Sequence, residues 1–201
     1  VNQNNLADCQ VKLAAGDVAR ERGGKVIALT IPMSFGTRLS FASGFVLDAM
    51  PGWEAAMGAS RAEKLALFRD KEARDALNAK AQSSDNPLRM LAAWERMIIF
   101  DVVAPENQQY RGRSVGEIAT AEGREPWDVL CDIAVADELS TSFGTPTPVE
   151  TVDDWKARLE VWRDPRAVIG ASDAGAHFDL LASFNYTTAL LERAVRTHDV
   201  L

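Results

Sequence analysis

The chain has 201 residues, of which 47% are hydrophobic, so it fits one domain or a large piece of a bigger one and can form a core. Its net charge of −7 argues against nucleic acid and anionic membrane surfaces as partners, and no apolar run reaches the length of a membrane span. The two cysteines, Cys9 and Cys131, share no metal-type spacing and favour a reduced, cytoplasmic setting over a disulfide framework.

The chain begins with a pattern of helix followed by strand. Residues 6–22 carry apolar side chains at helical spacing and end at Gly23 and Gly24, whereas residues 26–31 form an apolar, β-branched run that is typical of a buried strand. This order predicts the repeating unit of a parallel α/β fold. Residues 33–59 mix glycine and proline with aromatics and predict a long irregular loop, which after a strand is more often functional than filler.

Several helices are predicted downstream from their start signals. Two of them begin with Ser-x-x-Glu capping boxes, at Ser60 and at Ser114, and a further helix is predicted over residues 70–81. Another begins at Pro126, and the last begins at Thr151 or Asp153. Trp155 and Trp162 lie on one face of the last of these helices, where core packing is the better explanation than ligand stacking.

Fewer strands than helices are predicted in this part of the chain. Residues 97–103 are strand-like, residues 106–113 predict a hairpin loop, residues 140–148 predict a loop, and a final helix is predicted over 187–197. The resulting class is α/β with helix in excess, and there are too few strands to close an eight-stranded barrel.

A strand-like run at residues 167–169 ends in a cluster of small residues that contains Asp173 and is followed by His177. Small residues let the backbone turn sharply and leave room for a ligand. Asp173 is then expected at the carboxyl end of a strand, where α/β enzymes place their chemistry. The alternative is a strand-to-helix turn in which the aspartate only caps the following backbone.

The segment Val168-Ile169-Gly170-Ala171-Ser172-Asp173-Ala174-Gly175-Ala176-His177, followed by residues 184–191, resembles the last barrel strand of the N-acyl-D-amino-acid deacylases. These are D-aminoacylase-like members of the amidohydrolase superfamily. The similarity extends over nearly the whole chain and includes residues 24–30, 43–47, 51–53, 101–105 and 112–119. The resemblance implies a helix-rich partial TIM barrel, in which residues 1–201 form the C-terminal portion of the catalytic barrel and residues 32–166 include a helical insertion.

The resemblance also implies an activity, the zinc-dependent hydrolysis of the amide bond of small N-acyl-D-amino acids. In that family the aspartate matched by Asp173 binds the metal and accepts a proton from the attacking water. Ser172 and His177 are expected to contact substrate, and His177 is expected to orient the turn or line the pocket rather than bind metal. Arg38, in the loop after the first strand, offers a guanidinium fork for the substrate carboxylate, although a solvated loop charge is the simpler reading.

The histidine count limits this interpretation. Zinc sites need three or four ligands, whereas the chain has two histidines, and neither belongs to the His-x-His pair of the resembled family. We therefore expect the missing ligands upstream of Val1, no zinc and no activity in the isolated chain, and partners in the remainder of its own barrel or in self-association. A relative that binds a small ligand without turnover and a purely structural piece remain the alternatives.

Overall fold

The computed structural model describes residues 1–170, 180 and 185–201. In chain order the described helices and strands are α1 (Leu6–Glu21), β1 (Ala28–Thr30), α2 (Glu54–Gly58), α3 (Arg61–Arg69), α4 (Lys71–Ala81), β2 (Ile98–Asp101), α5 (Val115–Glu122), α6 (Pro126–Ala136), β3 (Ser142–Gly144), α7 (Val152–Trp162), β4 (Ala167–Ile169) and α8 (Tyr186–Ala189). The helix α8 continues as a π-helix over Leu190–Thr197. The predicted mixed α/β class with an excess of helix is confirmed, and none of the described helices is both long and apolar enough to cross a membrane.

The contacts divide the chain into two compact units. Unit 1 combines Val1–Phe35 with Thr147–Leu201, and unit 2 is the continuous stretch Gly36–Pro146. Unit 2 is therefore inserted into the sequence of unit 1.

Unit 1 contains the parallel pair of strands β1 and β4. Ala28 lies opposite Ala167, and Thr30 lies opposite Ile169. The sequence predicts both strands, but β1 is shorter than the predicted run 26–31. Leu29 and Val168 are partners in this register, so they share a face of the sheet, and they are 64% and 47% exposed. Parallel strands are normally covered on both faces, so this face is open as far as the described residues go.

Helix starts follow the predicted capping signals. Ser60 and Ser114 each accept a hydrogen bond from the backbone N–H three residues on, and the glutamate at that position bonds back to the cap. At α7 the Thr151 side chain accepts from the Asp154 N–H, and the Asp154 side chain bonds back to the cap. At α4 the Asp70 side chain accepts from the Ala73 N–H. These side chains satisfy backbone donors that the first turn of a helix leaves unpaired, which confirms the predicted starts.

The core of unit 2 is built from six aromatic side chains, which are Phe41, Trp53, Phe68, Trp94, Trp127 and Phe143. The rings of Phe41 and Phe68 stack with their centroids 4.3 Å apart. Each of the three indole N–H groups in this core donates a hydrogen bond, to Leu77 O, Asn78 Oδ1 and Arg74 O respectively. The side chain of Trp53, which comes from the irregular stretch 33–59, is fully buried in this core.

Three segments of unit 2 differ from the prediction. The stretch 140–148, predicted as loop, contains β3, which pairs antiparallel with β2. The stretch 106–113, predicted as a hairpin loop, lies largely in the 3-10 helix Pro105–Tyr110, because Pro105 starts a helical turn. The irregular stretch 33–59 contains α2 and a 3-10 turn at Leu47–Ala49.

The beginning and the end of unit 2 are bonded to each other. Leu39 and Phe143 exchange backbone hydrogen bonds of 2.6 and 3.0 Å, and the hydroxyl oxygens of Thr37 and Thr145 lie 2.8 Å apart. A Cβ atom on Gly144 would overlap the carbonyl oxygen of Thr37. The two chain segments that lead into and out of unit 2 therefore approach so closely that only glycine fits at position 144.

Candidate functional site

The predicted centre of the site, with Ser172, Asp173 and His177, lies outside the described residues. The strand that leads to it is described. Its last ladder bond runs from the Gly170 N–H to the Thr30 carbonyl over 3.0 Å, so the carboxyl ends of β4 and β1 lie side by side. Asp173 follows Gly170 by three positions in the sequence, and its role at this strand end stays a prediction.

The segment after β1 is held by a buried ion pair within unit 1. The Ser34 N–H donates to Glu150 Oε1 over 2.7 Å, and Arg158 Nη2 donates to the Ser34 hydroxyl over 2.8 Å. Arg158 and Glu150 are themselves 2.7 Å apart, and Arg193 Nη1 lies 3.3 Å from the other carboxylate oxygen. The chain just beyond the carboxyl end of β1 is thus fixed by two guanidiniums and one carboxylate.

Burial and charge act in opposite directions on Glu150. Burial alone would raise the pKa of this carboxyl, but the hydrogen bond from the Ser34 backbone and the positive charge of Arg158 outweigh it, so the pKa of Glu150 lies below its ordinary value. Glu150 therefore remains ionised at neutral pH. An ionised, hydrogen-bonded carboxylate of this kind serves to position its neighbours rather than to donate a proton.

Arg158 stacks on an aromatic ring of the same helix. Its guanidinium carbon lies 4.6 Å from the centre of the Trp155 ring, and its side chain is 2% exposed. The Trp155 ring also contacts the ring of Trp162, with centroids 6.2 Å apart, and the ring of His198, which stacks on it at 5.1 Å. His198 therefore packs against Trp155 at the end of the π-helix.

Arg38 lies in unit 2 beside the carboxyl end of β2. It pairs with Asp101 and lies over the Phe100 ring at 4.6 Å, and Arg111 approaches the same carboxylate at 3.1 Å. About half of the Arg38 side chain is exposed, so part of its fork faces solvent. Contact with a substrate carboxylate stays a prediction for Arg38.

The hydroxyls of the two residues nearest to Arg38 that carry one are bonded inside unit 2. The Ser40 hydroxyl donates to the Leu139 carbonyl at 3.0 Å, and the Thr37 hydroxyl is bonded to Thr145.

Metal ligands were sought among histidine, cysteine, aspartate and glutamate side chains. In the parts of the chain that the structure describes, no three of them are grouped so that they could hold a metal ion. Cys131 is buried, and burial raises the pKa of its thiol far above the ordinary range, so it stays protonated.

The cluster around Arg158 was not foreseen from the sequence. The predicted helix placed Trp155 and Trp162 on one face, and Arg158 falls on that same face by helical spacing. Because a buried guanidinium requires an acidic partner, an arginine between two core tryptophans is the signal that could have indicated a buried ion pair, although it does not identify Glu150 as the partner.

The chain was compared with known proteins in three ways. It matched no protein-family model, no curated protein and no solved structure.

Proposed function

We propose that this chain is part of the catalytic barrel of a zinc-dependent amidohydrolase that cleaves N-acyl-D-amino acids into a carboxylate and a free amino acid. The observation that supports the proposal best is the parallel pairing of β1 with β4, because it gives the Ser172–Asp173 segment the strand that the resemblance requires before it. In α/β enzymes, reactive groups at such strand ends converge on one face of the sheet.

The proposed chemistry rests on Asp173. Its carboxylate would accept a proton from the attacking water as the new C–O bond forms at the carbonyl carbon, and would then return the proton to the nitrogen so that the C–N bond breaks and the amine leaves. Zinc, when bound, would make that water more acidic.

The segment after β1 has a supporting role in this proposal. Ser34 is fixed by Glu150 and Arg158, so the backbone beyond the carboxyl end of β1 is held in one conformation. A fixed backbone next to a reaction centre lowers the entropy cost of orienting substrate.

A substrate panel tests the proposal. The full-length protein that contains this chain is incubated with N-acetyl-D-amino acids and with their L-enantiomers, and amine release is measured. The expected result is release from the D-substrates, loss of activity after chelation and recovery with added zinc. Amine release that chelation leaves unchanged, or no release from any N-acyl amino acid by the zinc-loaded protein, would overturn it.

A further inference from the structure

Buried N–H donors without acceptors gather on one side of α7. In the described part of the chain, four buried side-chain nitrogens have no hydrogen-bond partner, and three of them belong to Trp155, Arg158 and Trp162. These positions follow the i, i+3, i+7 spacing of one helix face. Since about 90% or more of buried polar groups in native proteins are paired, three unpaired donors on one face call for an acceptor.

The three side chains are also close in space. The Arg158 guanidinium lies 4.6 Å from the Trp155 ring centre, and the rings of Trp155 and Trp162 have centroids 6.2 Å apart. The free nitrogens are Arg158 Nη1 and the two indole Nε1 atoms. Each can only donate, so a single group with several lone pairs and no hydrogens to offer would satisfy them best.

The local charge favours an anion. Arg158 and Arg193 both pair with Glu150, so two guanidiniums share one carboxylate. The Asp154 carboxylate on the same helix also interacts with the charge of Arg158, but its hydrogen bonds go to the Thr151 cap and to the Gln3 backbone. Arg158 Nη1 therefore remains a charged donor without a hydrogen-bond partner beside the two unpaired indole donors. Hydrogen bonds from a guanidinium to an ionised oxygen are about twice as strong as neutral ones.

We propose that the face of α7 formed by Trp155, Arg158 and Trp162 is a binding site for a small oxyanion, either a carboxylate or a phosphate. Arg158 Nη1 supplies the charged donor, and the indole N–H groups supply neutral donors. An oxyanion suits three donors better than water does, because it accepts several hydrogen bonds and brings no hydrogens that need acceptors of their own. The proposal stands independently of the hydrolase function.

The NMR signal of an indole N–H group shifts when the group gains a hydrogen-bond acceptor, so the test follows these signals. Sodium acetate or sodium phosphate is added to the 15N-labelled chain at constant ionic strength, with chloride as the control. We expect the two indole signals of Trp155 and Trp162 to move downfield and to saturate. The signals of Trp53, Trp94 and Trp127 are internal controls, because those N–H groups already have acceptors. Saturation with acetate identifies a carboxylate site, and saturation with phosphate alone identifies a phosphate site.

Three variants sharpen the test. Trp162→Phe keeps a ring but removes one donor and should weaken binding about tenfold. Arg158→Met should abolish the saturable shift, while unchanged backbone signals of α1 and β1 show that unit 1, which holds the site, is folded in the variant. Arg61→Met, an exposed arginine of unit 2, should bind as the parent chain does. Indole signals that neither anion shifts, or equal shifts of all five signals, would overturn the proposal.

Discussion

Gly144 occupies a position in β3 that leaves no room for a side chain. The carbonyl oxygen of Thr37 takes the place where a Cβ atom would lie. Gly144→Ala must therefore push two bonded chain segments apart, and we expect a loss of about 2 kcal/mol or more in the free energy of unfolding. Urea titration followed by circular dichroism measures this loss. Gly58→Ala is the matched control, because nothing lies within 4 Å of its Cβ position, and a similar loss in both variants would contradict the explanation.

A second prediction for a single residue concerns Glu150. Its pKa is lowered in the folded chain, so the stability it contributes is present above the unfolded pKa and is lost as the pH falls through the folded pKa. The chain should therefore lose stability as the pH falls below the ordinary glutamate value of 4.5.

Glu150→Gln tests this origin of the acid sensitivity. It should cost on the order of 3 kcal/mol at neutral pH, because Arg158 loses its charged partner. It should also flatten the fall in stability below pH 4.5. Melting temperatures between neutral and acid pH measure both effects, with the exposed Glu21→Gln as control. An unchanged acid profile in Glu150→Gln would show that another group controls it.

At the scale of elements, sequence patterns with a local physical cause were predictive. The capping boxes at Ser60 and Ser114 satisfy unpaired backbone donors within one turn, so a stretch of four residues suffices to identify each of them. The short strand β3 was missed because Phe143 is the only apolar residue among its three, and it is stabilised by pairing with distant segments. Interactions between distant residues, such as the backbone pairing of Leu39 with Phe143, leave no periodic signal in the sequence.

The cap of α3 provides a prediction for an element. Ser60→Ala removes the acceptor for the Glu63 N–H and should lower the free energy of unfolding by about 1 kcal/mol. A thermal melt measures the change. Ser84→Ala, in an exposed turn without a helix to cap, should change stability by less than about 0.5 kcal/mol. Equal effects of the two substitutions would contradict the role of the cap.

At the scale of the whole molecule, unit 2 has the features of an independently folding insertion. It is one continuous stretch with its own aromatic core, and its first and last segments are bonded at Leu39 and Phe143. We expect the excised peptide 36–146 to unfold cooperatively on heating and to keep the near-ultraviolet signal of its buried tryptophans. A peptide that lacks this signal and shows no cooperative transition would contradict the division into units.

Unit 1 contains the strand pair on which the proposed function depends. Its parallel strands were predicted from apolar runs, whereas their pairing across a long insertion needed the structure. Self-association stays a prediction, motivated by the exposed side chains of Leu29 and Val168. The barrel, the zinc and the roles of Ser172, Asp173 and His177 stay proposals.

The most direct test of the proposed function is the turnover of Asp173→Asn in the full-length protein. The substitution keeps the size of the side chain but removes the proton acceptor, so turnover should fall roughly 10²- to 10⁴-fold with little change in melting temperature. Asp153→Asn, on the exposed side of α7, makes the same change of charge and should leave turnover unchanged. If Asp173 only caps a turn, asparagine would serve as well as aspartate. Equal turnover of Asp173→Asn and the parent protein, at equal stability, would contradict the catalytic role of Asp173.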